Sequence, residues 1–269
     1  YIAKAMGVEG VEDMTQEERL GYLIKTLATE QPRYAGLELP ADRGEKRALL
    51  RALFNLRPPL PADERLLAVQ DEYLAEELRA RGTTLAAELA PLSGDICLWQ
   101  GDITTLAADA VVNAANSAML GCFVPCHRCI DNAIHTYAGI QLRLVCHELM
   151  ERQGHEEPTG GAKITPAFNL PSRYVIHTVG PIVYASLTRR ERDELASCYR
   201  SCLKLAKENG LKSVAFCCIS TGEFRFPNAA AQIAVDTVRE FLKEEGVGMR
   251  VIFNVFKDID REIYAGLLR

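Results

Sequence analysis

Apolar positions recur at helical spacing through the first ninety residues, and then the texture changes. Thr15-Gln-Glu-Glu18 is a capping box, and Leu20, Leu23, Ile24 and Leu27 follow on one face, which predicts a first helix. A second helix is expected from about Glu45 to Leu56, stopped by the RPPLP run at Arg57 to Pro61. A third is expected from Ala62 to Arg81, with Leu66, Leu67, Tyr73, Leu74 and Leu78 apolar and Gly82 at its end. Past Pro91, short apolar runs take over. DICLWQGDIT (Asp95 to Thr104) opens as a strand, and ADAVVNAAN (Ala108 to Asn116), YVIHTVG (Tyr174 to Gly180), SVAFCCIS (Ser213 to Ser220) and RVIFNVF (Arg250 to Phe256) read as buried strands. Helical patterns lie between them, around Asn132 to Arg152, Thr188 to Asn209 and Ala229 to Lys243.

Strands alternating with helices predict an α/β fold with a largely parallel central sheet. The expected division is a helical extension over residues 1–92 and an α/β domain over 93–269. The first part carries no catalytic constellation and reads as a helical cap. In parallel sheets ligands bind beyond the carboxyl ends of the strands. GDIT, NAAN and ISTGEFRFP all fall at such ends, so they should converge on one crevice.

Composition narrows the class of partner. A formal net charge of −5 argues against generic nucleic-acid binding, and no apolar run is long enough for a membrane span. The N-terminus lacks a charged-then-apolar signal pattern, although the chain opens at Tyr1 and a preceding segment stays open. Nine cysteines is a high, odd count. Cys97, Cys146, Cys198, Cys202, Cys217 and Cys218 sit among apolar residues or at helical spacing and read as reduced core thiols. The expected compartment is therefore reducing and cytoplasmic.

The remaining three cysteines stand together in GCFVPCHRCIDNAIH, residues 121–135: Cys122, Cys126, His127 and Cys129, with Asp131 just behind. Metal ligands, a disulfide and inert thiols are the three readings, and a reducing compartment favours the first. Asp102 is an acceptor suited to an exocyclic amine or hydroxyl. Asn113 and Asn116 offer amides suited to ribose hydroxyls. Ser220 to Phe224, STGEF, can turn backbone N–H groups toward a phosphate, or form an ordinary tight turn.

Taken together, GDITTLAADAVVNAANSAMLGC, the Gly160–Pro181 block GGAKITPAFNLPSRYVIHTVGP and CISTGEFRFPNAAAQIAVDTV resemble a macrodomain over residues 93–269. The resemblance implies a three-layer α/β/α sandwich with a mixed, largely parallel sheet, and a crevice for ADP-ribose. Asp102 and the backbone of Ile103 would hold the adenine end, and Asn113 and Asn116 the distal ribose. Ser220, Thr221, Gly222, Glu223 and Phe224 would wrap the diphosphate and distal ribose. Phe256 is a candidate adenine stacker or a core aromatic, and Arg225 and Phe226 would shape the rim.

Many hydrolytic macrodomains carry a glycine-rich run where this chain has CFVPCHRC. The pattern is similar to a zinc-containing branch of macrodomain ADP-ribosyl hydrolases, which implies Cys122, His127 and Cys129 as ligands of one Zn²⁺ per chain. Two thiolates and an imidazole suit zinc, and three protein ligands leave a fourth position open. Adjacent side chains diverge, so Cys126 is expected to point away from an ion held by His127. His135 and His177 are expected to be hydrogen-bonded core histidines. Asp131 is the expected catalytic carboxylate, or a helix N-cap, with Asn116 beside it. The implied function is zinc-dependent removal of mono-ADP-ribose from a modified protein side chain. The alternatives are a non-catalytic ADP-ribose reader with structural zinc, or an O-acyl-ADP-ribose deacylase.

Overall fold

The computed structural model describes residues 8, 10–34, 36–183, 186–219, 226–245 and 248–269. Three helices come first: α1 (Gln16–Thr29), α2 (Arg43–Leu56) and α3 (Glu64–Arg81). Each starts on a side-chain acceptor. Thr15 and Glu18 form the capping box, Asp42 accepts the N–H of Glu45 at 2.9 Å, and Asp63 accepts that of Leu66 at 2.7 Å. Such caps satisfy N–H groups that no helical carbonyl can reach. Gly82, at φ 80°, ends α3 in a conformation open to glycine.

The apolar faces of these helices close on one another through Leu20, Leu23, Ile24, Leu53, Leu66 and Val69. Their cluster also takes in Ile140 from the rest of the chain. Polar ties reinforce that seam: the Gln70 side chain accepts the N–H of Ile140 at 2.9 Å, and Asn169 donates to Asp71 at 2.8 Å.

The larger core surrounds a seven-stranded sheet. Its strands are β2 (Pro91–Ser93), β3 (Ile96–Gln100), β5 (Ala110–Ala115), β6 (Ala162–Pro166), β7 (Tyr174–Val179), β8 (Ser213–Phe216) and β9 (Arg250–Val255), in the order β2-β3-β9-β8-β5-β7-β6. A separate parallel pair joins β1 (Thr84–Leu85) to β4 (Leu106–Ala107). The five central strands of the main sheet run parallel, and the edges β2 and β6 are antiparallel. Val111, Val112, Val214, Ala215, Val251 and Ile252 are fully buried, as expected for strands covered on both faces by helices.

Helices α4 (Ile130–Ala138), α5 (Ile140–Gln153) and α6 (Arg189–Glu208) and the helices Pro227–Glu245 and Asp258–Leu268 complete the layers. One difference from the sequence reading concerns the expected helix Asn132 to Arg152. Gly139 at φ 96° breaks it into α4 and α5, a backbone angle that L side chains rarely adopt. The N-terminus of α4 meets the carboxyl end of β5, where Asn113 and Asn116 reach Asp131.

Candidate active site

Asp131 opens α4 and is 5 % exposed. Its two oxygens have different partners. Oδ1 accepts the Asn113 amide at 2.8 Å, from the fully buried face of β5. Oδ2 faces the amide of Asn116 at 3.5 Å, just past the end of β5, where Asn116 is exposed. Asn116 also donates to the carbonyl of Gly121 at 3.1 Å and so ties the head of the cysteine loop to Asp131. Burial raises the Asp131 carboxyl to about 6, against the lowering pull of the Asn113 amide and the Arg143 charge.

Asn113 is thus a strut between sheet and carboxylate. Its amide also contacts Nδ1 of His177 at 3.1 Å, which makes Nδ1 an acceptor and leaves Nε2–H to donate to Thr165 Oγ1 at 3.0 Å. His177 is wholly buried, and desolvation lowers it to about 4. Next to it His135 is buried with Nε2 3.6 Å from Asp131 Oδ1. His135, Cys146 and His177 bring their donor atoms within 4.8 Å of one another. Both nitrogens of His177 are already spent on side-chain partners, and burial lifts the Cys146 thiol to about 12. His177 is thus the hydrogen-bonded core histidine expected, whereas His135 differs from that expectation: both of its buried nitrogens lack a hydrogen-bond partner.

The second cluster is Cys122, His127 and Cys129, whose donor atoms also lie within 4.8 Å of one another, at the mouth of α4. Cys122 Sγ and His127 Nδ1 are 3.6 Å apart. Tetrahedral zinc at ordinary Zn–S and Zn–N lengths sets S···N and S···S separations of about 3.5–3.8 Å. The donor set therefore fits that ion in chemistry, and the Cys122–His127 separation matches its geometry. Cys129 is the N-cap of α4, its sulfur accepting the N–H of Asn132 at 3.4 Å. Burial raises its thiol to about 11, and the neighbouring Cys122 adds to the rise. Cys126 lies outside the cluster. It sits at φ 54° and its thiol points to the carbonyl of Ala48 on α2, 3.3 Å away.

After β3, Asp102 caps the short helix Ile103–Thr105. Its Oδ1 accepts from the backbone and hydroxyl of Thr104 at 2.9 and 2.7 Å. Its Oδ2 pairs with Arg81 of α3 at 3.0 Å, and the Arg81 guanidinium lies 3.8 Å from the ring centre of Tyr137. Ile103 is 2 % exposed. Phe256, after β9, is 78 % exposed, as an adenine stacker would need and a core aromatic would not. Phe226 is partly exposed. Ser220, Thr221, Gly222, Glu223, Phe224 and Arg225 lie outside the described residues.

Sequence reasoning missed the contributions from the N-terminal helices. Arg143 of α5, 4 % exposed, donates to the carbonyls of Leu120 at 2.7 Å and of Phe54 and Arg57, with Phe123 over its guanidinium. Arg51 and Asn55 of α2 reach the cysteine loop.

These features define a three-layer α/β protein in which Asp102 follows β3, and Asn113, Asn116 and Asp131 gather beside a cysteine–histidine group at the carboxyl end of β5. The macro domain family profile matches residues 112–235. A protein-ADP-ribose hydrolase of Treponema medium is 55 % identical over 260 residues, 95 % of this chain and 100 % of the relative. A protein of the same name from Staphylococcus aureus strain MSSA476 is 49 % identical over 253 residues, 93 % of this chain and 95 % of the relative. Among solved structures, the Trypanosoma brucei macrodomain in complex with ADP-ribose superposes with a TM-score of 0.64 at 30 % identity, covering 81 % of this chain and 95 % of that one. The chain belongs to the macro domain family.

Proposed function

We propose that this macrodomain is a hydrolase that removes mono-ADP-ribose from a modified protein side chain, with zinc held by Cys122, His127 and Cys129. The observation that carries the reading is the juxtaposition at the mouth of α4. The three metal-type donors and the outward oxygen of Asp131 share one helix end, joined by Asn116. The names of the Treponema and Staphylococcus relatives support the reaction. The macrodomain complex with ADP-ribose supports the ligand.

In this reading Asp102 and Ile103 receive the adenine end, and residues 220–224 the diphosphate. Asn116 holds the distal ribose beside Asp131, while Asn113 keeps Asp131 in register. Cleavage of the bond from the anomeric carbon to the acceptor passes through an oxocarbenium-like state. Water attacks that carbon, Asp131 orients it and takes its proton, and the bonding pair leaves with the protein side chain, which is protonated in turn. Zinc held by Cys122, His127 and Cys129 would supply Lewis acidity to the reaction. No helix among the described residues is long and apolar enough to cross a membrane. The test is release of ADP-ribose from a mono-ADP-ribosylated protein. ADP-ribose binding without release from any linkage would favour a reader instead.

A further inference from the structure

The loop that bears the metal-type donors has little structure of its own. Between Gly121 and Cys129 its internal backbone tie among the described residues is one turn, His127 N–H to Val124 O at 3.2 Å. What holds the loop comes from outside, and much of it comes from α2, more than seventy residues earlier in the chain.

Asn55, 1 % exposed, accepts the Cys126 N–H on Oδ1 at 2.9 Å and donates from Nδ2 to Thr136 Oγ1 of α4 at 3.0 Å. Arg51 donates from Nη2 to the carbonyl of His127 at 3.1 Å, and from Nε and Nη2 to Asn132 Oδ1 at 3.1 and 2.8 Å. Asn132 passes the connection on, its amide donating to the carbonyl of Val124 at 3.0 Å. His127 is thus gripped on both flanks, through the N–H of the residue before it and through its own carbonyl. Cys126 sits at φ 54°, a left-handed backbone that non-glycine residues seldom adopt, so it needs such outside contacts to persist.

We infer that α2 is part of the metal site: Asn55 and Arg51 are positioning residues that hold His127 and its loop where three donors converge. The inference rests on the zinc reading above and deepens it, because it gives the N-terminal helices a role in metal affinity beyond packing. Neither residue is one of the three donors. The thiol of Cys126, turned to Ala48 on α2, belongs to this brace.

The test is zinc affinity of the full chain, by competition with a chromophoric chelator, for wild type, Asn55→Ala, Arg51→Leu and Asn55→Asp. ADP-ribose affinity of each metal-free protein is measured by calorimetry alongside. Second-sphere partners of metal ligands are worth about 10–100-fold in affinity. Asn55→Ala and Arg51→Leu should weaken zinc binding by that order with ADP-ribose affinity within about twofold of wild type. Asn55→Asp, which keeps the acceptor for Cys126, should recover part of the loss. Arg51 is only half-buried, so its variant reports even where Asn55→Ala fails to fold. One zinc per chain bound equally tightly by wild type and variants overturns the inference and leaves the metal reading standing. Equal loss of zinc and ADP-ribose binding also overturns it, since the role is then general folding. No zinc on wild type overturns both.

Discussion

Asn113 and Asp131 form a buried pair in which the amide from β5 donates to Oδ1 of the first-turn carboxylate of α4 at 2.8 Å. The pair fixes one oxygen of Asp131 and leaves the other turned toward Asn116. Replacing Asn113 with Ala removes a charge-assisted bond and leaves a buried carboxylate with one partner fewer. The expected cost is about 2–3 kcal/mol in urea unfolding at pH 7. Turnover should fall with it, because Asp131 loses its register.

Asn116 should behave in the opposite way. It is exposed and its bonds are local, so Asn116→Ala should change stability by no more than about 1 kcal/mol. If it holds the distal ribose beside Asp131, kcat/KM should drop about 100-fold, which is close to 3 kcal/mol of transition-state stabilisation. Steady-state release of ADP-ribose, measured with thermal unfolding of the same sample, separates the two effects.

Gly121 is required by space as well as by backbone angle. It sits at φ 79°, and a Cβ there would lie 2.8 Å from the buried ring of His135. Gly121→Ala should cost about 2–3 kcal/mol, the sum of a left-handed alanine and a ring that must shift in a packed core. It should also lower zinc content, since Cys122 is the next residue. Thermal unfolding and elemental analysis check both.

Acid should destabilise the fold through His177. Burial holds its pKa near 4, whereas in the unfolded chain it is near 6.5. Below pH 6.5 the unfolded state takes up a proton that the folded state refuses. Its contribution is therefore complete above about pH 6.5 and is lost as pH falls from there toward 4, to a limit of roughly 3 kcal/mol. Asp131, raised by burial, acts in the opposite sense over part of that range. The His177 share is read as the difference between wild type and His177→Gln in metal-free protein. Urea unfolding at pH 7, 6 and 5 should show the wild type losing stability more steeply.

Much of the architecture was legible in the chain because the signals were local. The capping residues Thr15 and Asp63 and the stop at Gly82 mark helix ends within a few residues, and runs such as RVIFNV read as strands buried on both faces. The misses were of another kind. β6, AKITP, is an edge strand with mixed polarity and carries no continuous apolar run. The helix Asp258–Leu268 follows the last strand without a side-chain cap to announce it. Gly139 was a lone glycine in a helical pattern, and only its φ of 96° shows that two helices meet there.

At the site, the spacing of Cys122, His127 and Cys129 drew attention because their types and closeness are visible in sequence. That Asn113 would lie below Asp131 as a strut was not visible, since it depends on which face of β5 meets α4. Arg51, Asn55 and Arg81 were invisible for a simpler reason. Each acts on a residue between 21 and 81 positions away, and nothing in a helix face of mixed charge says which neighbour it will meet.

The measurement that bears most directly on the account is zinc content by elemental analysis, paired with release of ADP-ribose from a mono-ADP-ribosylated protein before chelation, after it and after zinc is restored. The account predicts about one zinc per chain on the three-donor site, release that is lost on chelation and recovered with zinc, and ADP-ribose affinity that changes little throughout. A metal-free protein, still folded, that releases ADP-ribose at the full rate would contradict it.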